Sequence, residues 1–184
     1  MTGEQRPISV SEADFGSALV AELPRLRAFA RSLSGDRGLG DDLVQETIVK
    51  ALANREKFTP GTNLTAWLIT ILRNHFYSMS RSRRREVEDV DGQHALGMAA
   101  PASQQSHIEL LQFSEALAAL PVAQREALVL VGASGFTYEE AAEICGVRAG
   151  TIKSRVSRAR EQLQGWIDSP SRTAKDDAMA GQAP

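Results

Sequence analysis

The chain has 184 residues, enough for one ordinary domain or two small ones, and its 42% hydrophobic and 24% charged content is that of a soluble globular protein. With aromatics at only 5%, its cores must be built mainly from Leu, Ile, Val and Ala. The formal charge of −2 argues against nucleic acid until it is divided along the chain. Residues 1–86 hold 13 Lys/Arg against 10 Asp/Glu, residues 87–107 hold three acids and no base, residues 108–168 hold 6 bases against 8 acids, and the tail is balanced. Local clustering, not the total, sets the field that a phosphate feels.

Several classes are excluded early. One cysteine, Cys145, permits no intramolecular disulfide, and no Cys-His cluster is present to hold zinc. His75, His94 and His107 are scattered and read as ordinary surface or packing residues. Neither a metal nor a cofactor is expected. No apolar run approaches membrane-spanning length, and the polar segment Met1–Val10 lacks a signal-peptide core, so a cytoplasmic protein without a membrane partner is expected.

The first helical region runs from about Glu12 to Arg85. Leu19, Leu23, Leu26, Ala30 and Leu33 recur at three- and four-residue steps, which marks an amphipathic helix. Ser34 to Gly40 breaks it, and Asp41-Asp42 is expected to open the next helix at the positive end of its dipole. Leu43, Ile48, Ala51 and Leu52 supply much of that helix's apolar side. A loop from Arg55 to Thr62 carries Pro60-Gly61. A third helix starts near Asn63, an N-cap, with an apolar stripe of Leu64, Trp67, Leu68, Ile71, Leu72 and His75/Phe76. Its far end interleaves cations with an aromatic: on a 3.6-residue period Arg73, Tyr77, Arg81 and Arg84 share one face, which suits a backbone whose bases are unstacked. Trp67 reads as packing rather than as a wedge between bases.

Periodicity is lost over 87–107, which is acidic and then rich in Ala, Gly, Gln and Ser; this reads as a flexible linker. A second helical region, 108–168, begins with Leu110, Leu111, Phe113, Leu117 and Leu120. Pro121 suits the first turn of the next helix, which carries Ala127, Leu128, Leu130 and Val131. Residues 169–184 are small and polar and read as a disordered tail. Nothing is strand-like. The expected fold is all-α, two small helical domains on a tether.

The most specific signal lies in the second domain. Thr137 and Glu140 form a T-x-x-E capping box, Ala141 and Ala142 allow a close helix crossing, and Gly146 can turn the chain in a left-handed conformation. Val147 would plug the corner. This is the plan of a helix-turn-helix, whose second helix enters the major groove. That helix carries Arg148, Lys153, Arg155, Arg158 and Arg160 with no acid before Glu161. Its inner stripe, Ile152, Val156, Ala159 and Leu163, leaves Lys153, Ser154, Ser157 and Arg158 facing outward, types that can bond base edges or phosphates.

The order of these segments resembles the sigma-70 family of RNA polymerase sigma factors. Asp41-Asp42-Leu43-Val44-Gln45-Glu46-Thr47 is similar to the segment that engages the polymerase clamp helices, implying docking by Asp41, Asp42, Gln45 and Glu46. Phe58 through Asn74 looks like the part of region 2 that opens and reads the −10 element, implying roles for Asn63, Arg73, Asn74, Tyr77, Arg81 and Arg84. Leu120-Pro121 to Leu163 resembles region 4, which reads the −35 element, implying Arg148, Thr151, Lys153, Ser154, Ser157 and Arg158. Arg148 departs from the serine that many relatives place there, which weakens the expected cap and adds a cation. Having only regions 2 and 4 is the pattern of the extracytoplasmic-function (ECF) class. Val131 to Ala142 and Phe76-Tyr77-Ser78 look like its EcfG-type general stress response subgroup. The resemblance implies binding to RNA polymerase core and promoter DNA, and restraint by a NepR-type anti-sigma factor.

The implied division is region 2 at 12–86, linker at 87–107, region 4 at 108–168 and tail at 169–184. One helix-turn-helix buries too little surface for tight binding alone, so two tethered modules are needed. The 21-residue linker reaches roughly 70 Å when extended, about two turns of DNA. A sigma-like decoy would carry a receiver domain, and a self-sufficient regulator a dimerisation or ligand domain; neither is recognisable. An enzyme is disfavoured: there is no G-x-S-x-G, and Gly38-Leu39-Gly40-Asp41-Asp42 lacks the lysine of a phosphate cradle.

Overall fold

The computed structural model describes residues 12–87 and 113–167, with side chains over 15–82 and 113–166. The linker beyond Val87, His94, His107, Leu110, Leu111, the Arg84 side chain and the tail lie outside the described residues.

Among the described residues every regular element is helical. The first half contains α1 (Glu12–Ser34), α2 (Arg37–Ala53), a 3-10 turn (Arg55–Lys57) and α3 (Leu64–Val87). The second half contains a helical segment at 113–119 (α4), then α5 (Val122–Gly132), α6 (Tyr138–Cys145) and α7 (Ala149–Ile167).

Helix α1 buries the expected Leu19, Leu26, Ala30 and Leu33, together with Phe15 and Phe29. Helix α2 begins earlier than the carboxylates at 41 and 42 suggest. Asp36 is its N-cap, with Oδ1 accepting the Leu39 N–H at 2.6 Å, and no acidic residue occupies the first turn. A side-chain cap satisfies an orphan N–H directly, which outweighs the diffuse attraction of the dipole for Asp41 and Asp42. Gly40 therefore falls inside α2, buried where the helix crosses α1. A Cβ there would stand 2.8 Å from Arg31 Cγ and 3.1 Å from the Arg31 Cα. The crossing also fixes which side of α2 is buried: Gly40, Leu43, Val44, Thr47 and Ala51. Leu52, expected inside, is half exposed, and Ile48 is only partly covered. The Thr47 hydroxyl is satisfied by donating to the Leu43 carbonyl at 2.6 Å.

Asn63 caps α3 as expected, its Oδ1 accepting the Ala66 N–H at 3.1 Å. The most deeply buried residues of α3 are Leu68, Ile69, Leu72 and Phe76, whereas Leu64, Trp67 and Ile71 are only partly covered. The stripe is displaced because α3 packs on two sides, against α1 and α2 and also against α6 of the second half. Trp67 is a packing residue, its ring 5.4 Å from that of Phe58 and 6.4 Å from that of Phe15.

In the second half, Pro121 stands at the N-cap of α5, one position before the first turn. Leu120 closes the end of α4 and is buried, but Phe113 is half exposed. Helices α5 and α6 both pack on α7 through Ala127, Leu130, Ala141, Ile152 and Val156. The two halves touch, α5 lying against α1 and α6 against α3, and their buried residues form one continuous cluster.

The α1–α2 crossing yields a prediction. Gly40→Val should destabilise the fold by about 1–3 kcal/mol through overpacking. Gly16→Ala, which meets nothing within 4 Å in α1, should stabilise it by up to about 1 kcal/mol through helix propensity. Thermal denaturation of the two variants reads both signs.

Candidate nucleic-acid interface

The helix-turn-helix is built as its residues require. The Thr137 hydroxyl accepts the Glu140 N–H at 3.1 Å, and the Glu140 carboxylate accepts the Thr137 N–H at 2.8 Å, so the box is closed in both directions. Gly146 turns the chain at φ +64°, and the Val147 N–H returns to the Ala142 carbonyl at 3.0 Å. A side chain at 146 would be strained by that backbone conformation. Arg148 precedes α7 without a side-chain cap to offer. Its carbonyl accepts the Thr151 N–H at 2.8 Å, and its side chain is exposed.

On α7, Ile152, Val156 and Ala159 are buried and Leu163 partly so, and this register turns Lys153, Ser154, Ser157 and Arg158 to the outside. These four lie on one exposed strip, with Thr151 partly buried at its start. In the free chain the strip is held by local bonds. Ser154 Oγ donates to the Thr151 carbonyl at 2.9 Å, Ser157 Oγ donates to Glu161 at 3.0 Å, and Lys153 Nζ sits 5.6 Å from the Tyr138 ring centroid. Each is a bond that a phosphate or base edge can replace.

The residues expected to serve the −10 element are not all on one surface. Arg73 and Tyr77 come together, the guanidinium 4.8 Å from the ring centroid. They face inward to the second half, where Arg73 Nε donates to Glu126 Oε1 at 2.8 Å and the Tyr77 hydroxyl donates to Glu126 Oε2 at 3.1 Å. Burial, then the Glu126 charge, pushes the Tyr77 phenol far above its ordinary range, so it stays a donor. Asn74 is exposed on another side, in a groove shared with Lys50, Trp67, Ile71 and His75. There Lys50 Nζ donates to His75 Nδ1 at 2.8 Å. Burial, followed by the Lys50 charge, lowers the His75 pKa and keeps the ring a neutral acceptor. Asn63 is exposed at the start of α3, and Arg81 is exposed two turns beyond Arg73.

The four residues expected to dock on polymerase lie along α2. Asp42 and Gln45 are exposed; Asp41 accepts two bonds from Arg31 Nη2, at 2.9 and 3.2 Å, and Glu46 pairs with Lys50 at 3.3 Å. Asp41 and Gln45 line a groove between α1 and α2 together with Leu23, Arg27, Arg31 and Ile48.

Sequence reasoning passed over Arg125 and Glu126, which are 6% and 1% exposed. Their signal was present: they fall at the core-facing step between Val122 and Val129/Leu130, where α5 would otherwise be apolar. Cys145 lies beside Glu126; burial first and that carboxylate second push its thiol up to about 12, so it is a buried packing residue rather than a reactive one.

Comparison with known proteins agrees with this layout. The family description "Sigma-70 region 2" matches residues 19–86, and "Sigma-70, region 4" matches residues 110–163. The chain is 55% identical to the ECF RNA polymerase sigma factor EcfG of Rhodopseudomonas palustris, over 88% of this chain and 90% of that one. It is 36% identical to the ECF RNA polymerase sigma factor SigC of Mycobacterium tuberculosis, over 70% of each. Among solved structures, the sigma factor RpoE of Bartonella quintana, crystallised in complex with the anti-sigma factor NepR, matches with TM-score 0.78 and 52% identity, over 85% of this chain and 98% of that one.

A helical bundle of the region 2 kind followed by a capped helix-turn-helix of the region 4 kind is the make-up of a sigma factor, the subunit that brings RNA polymerase core to promoter DNA. The chain belongs to the ECF branch of the sigma-70 family and is of the EcfG type. It is not an enzyme; the polymerase does the chemistry.

The register of α7 can be checked directly. In the holoenzyme, Arg158→Ala should weaken binding to the −35 element by about 1–3 kcal/mol. Arg160→Ala, off the outward strip, should cost less. Electrophoretic mobility shift with upstream-element duplexes ranks the two.

Proposed function

We propose that this sigma factor grips one promoter at two places with the residues named above. Arg148, Thr151, Lys153, Ser154, Ser157 and Arg158 read the −35 element. Asn63, Arg73, Asn74, Tyr77, Arg81 and Arg84 hold the opened −10 strand. Asp41, Asp42, Gln45 and Glu46 dock on core polymerase. The division of labour follows the boundaries drawn from sequence: 12–86 for docking and the −10 element, 87–107 as tether, 108–168 for the −35 element, and 169–184 as tail. The observation that carries the reading is the outward strip of α7, whose four polar and cationic side chains are exposed because Ile152, Val156 and Ala159 are locked inside.

The EcfG type places it in the general stress response, under a NepR-type anti-sigma factor like the one bound to the Bartonella relative. A cytoplasmic site of action fits a partner of RNA polymerase, and among the described residues no helix is long and apolar enough to cross a membrane.

Run-off transcription tests the whole reading. The purified chain with core polymerase should give a discrete transcript from a stress promoter, and core alone none. The double variant Asp42→Ala/Gln45→Ala should lower the apparent affinity for core at least several-fold while leaving the helical circular-dichroism signal intact. If core binding were unchanged, the docking face would lie elsewhere. A pull-down with a NepR-type protein should retain the chain; failure would remove that partner and leave the sigma function standing.

A further inference from the structure

The groove between α2 and α3 is lined by Lys50, Lys57 and His75, with Asn74, Ser78 and the Trp67 ring beside them and no acid among the described residues that form its wall. It encloses about 460 Å³, within the size range of clefts that seat a small ligand. From α2, Lys50 Nζ crosses to α3 and donates to His75 Nδ1 at 2.8 Å, while Glu46, one turn back on α2, holds it from the other side at 3.3 Å. The Lys50 side chain is 40% exposed, so an ammonium left to itself would extend into water. Lys57 is held too, donating to Asn54 Oδ1 at 2.6 Å, and Asn54 Nδ2 donates to the Lys50 carbonyl at 2.9 Å. Both ammonium groups are thus kept beside the groove.

Acceptance through Nδ1 fixes the state of the His75 ring: its one proton sits on Nε2 and it is neutral. The charged groups around it are Lys50 and Glu46 from α2 and Lys57 from the 3-10 turn. Helices α1 and α6, which also pack on α3, put no charged group into the groove wall. An anion reverses the balance at the ring. Lysine meets a phosphate as a point charge, and turning to one takes Nζ off Nδ1. The vacated nitrogen then faces an anion instead of an ammonium. A proton from solvent adds there, and the ring becomes a second cation that donates from both nitrogens.

We propose that His75 is a positioning residue of the strand-binding face: neutral, it holds Lys50 beside the α2–α3 groove, and it takes up one proton at Nδ1 when a phosphate of the −10 strand enters. The inference rests on the reading of Asn74, on the same groove, as a strand-binding residue. It makes capture of the opened strand tighter on the acid side of neutrality. The bound state holds the extra proton, so affinity rises as pH falls through the bound-state pKa of His75 and levels off below that of the free ring.

The experiment uses the holoenzyme, core polymerase loaded with the full chain. The probe is a dye-labelled single-stranded oligonucleotide carrying the −10 non-template sequence of a promoter that this holoenzyme transcribes. Fluorescence anisotropy reads its affinity at about pH 8 and about pH 6. The wild type should bind about three- to tenfold more tightly at the lower pH, the gain that one proton taken up with a pKa rise of about one allows. His75→Gln, whose amide oxygen can still accept from Lys50 but cannot titrate, should lose the gain, its two affinities agreeing within about twofold. His75→Arg, charged at both pH values, should bind at about pH 8 as the wild type does at about pH 6. Helical circular dichroism checks each variant; if the Arg variant does not fold, the Gln variant carries the same test. A folded His75→Gln holoenzyme that keeps the full pH dependence would overturn the proposal, and so would a wild type with no gain. Asn74→Ala separates the two levels. If it leaves strand affinity unchanged at both pH values, the strand-binding reading of the groove has failed. If it weakens binding while His75→Gln tracks the wild type across pH, only the proton uptake has failed.

Discussion

The buried Glu126 carboxylate is the interaction on which the arrangement of this molecule depends. It is a charge taken out of water, made tolerable by the hydrogen bonds that Arg73 and Tyr77 of the other half supply. Removing one partner of such a pair leaves the other charged and stranded, at a cost of about 3–5 kcal/mol. The contact is therefore made whole or dissolved whole in water. Arg125 behaves alike, its guanidinium desolvated between the Leu33 and Ala118 carbonyls, which lowers its pKa from the ordinary arginine value. Two adjacent charges on one helix thus add directional bonds to the apolar cluster that the halves share.

The outward strip of α7, proposed above to read the −35 element, is organised on the opposite principle. Its position is fixed by the buried apolar residues Ile152, Val156 and Ala159, and by the closed capping box and the left-handed Gly146 that set the angle between the helices. In the proposed reading its outward side chains need only exchange weak local bonds for DNA. A formal charge of −2 hides a local gathering of cations on α7, whose exposed Lys153, Arg158 and Arg160 face solvent.

Much of this was legible from residues. The capping box, the turn glycine, the inner stripe of α7 and the Asn63 cap all appear in the structure at the positions that local chemistry assigns them. These are signals complete within a few residues. What could not be read depended on partners far along the chain. The Asp36 cap carries Gly40 into α2, and only the packing of α2 on Arg31 of α1 shows why a glycine stands there. Leu52 looks like core on a helical wheel but lies outside, since the crossing with α1 decides which stripe is covered. Arg73, Tyr77 and Arg81 share a helix face by periodicity, yet Arg73 and Tyr77 meet the second half while Arg81 is exposed. Periodicity reports the face and not its neighbour. The charged pair at 125 and 126 breaks an apolar stripe, a sign of a polar contact, but nothing local names the partner.

The most direct test places a photo-crosslinking benzoylphenylalanine at position 77, where the ring it replaces now touches Glu126. In the free chain it should couple to α5 of the same molecule. In the complete promoter complex with polymerase it should crosslink to the non-template strand within the −10 element. A persistent intramolecular product in the promoter complex, with no DNA adduct, would contradict the account.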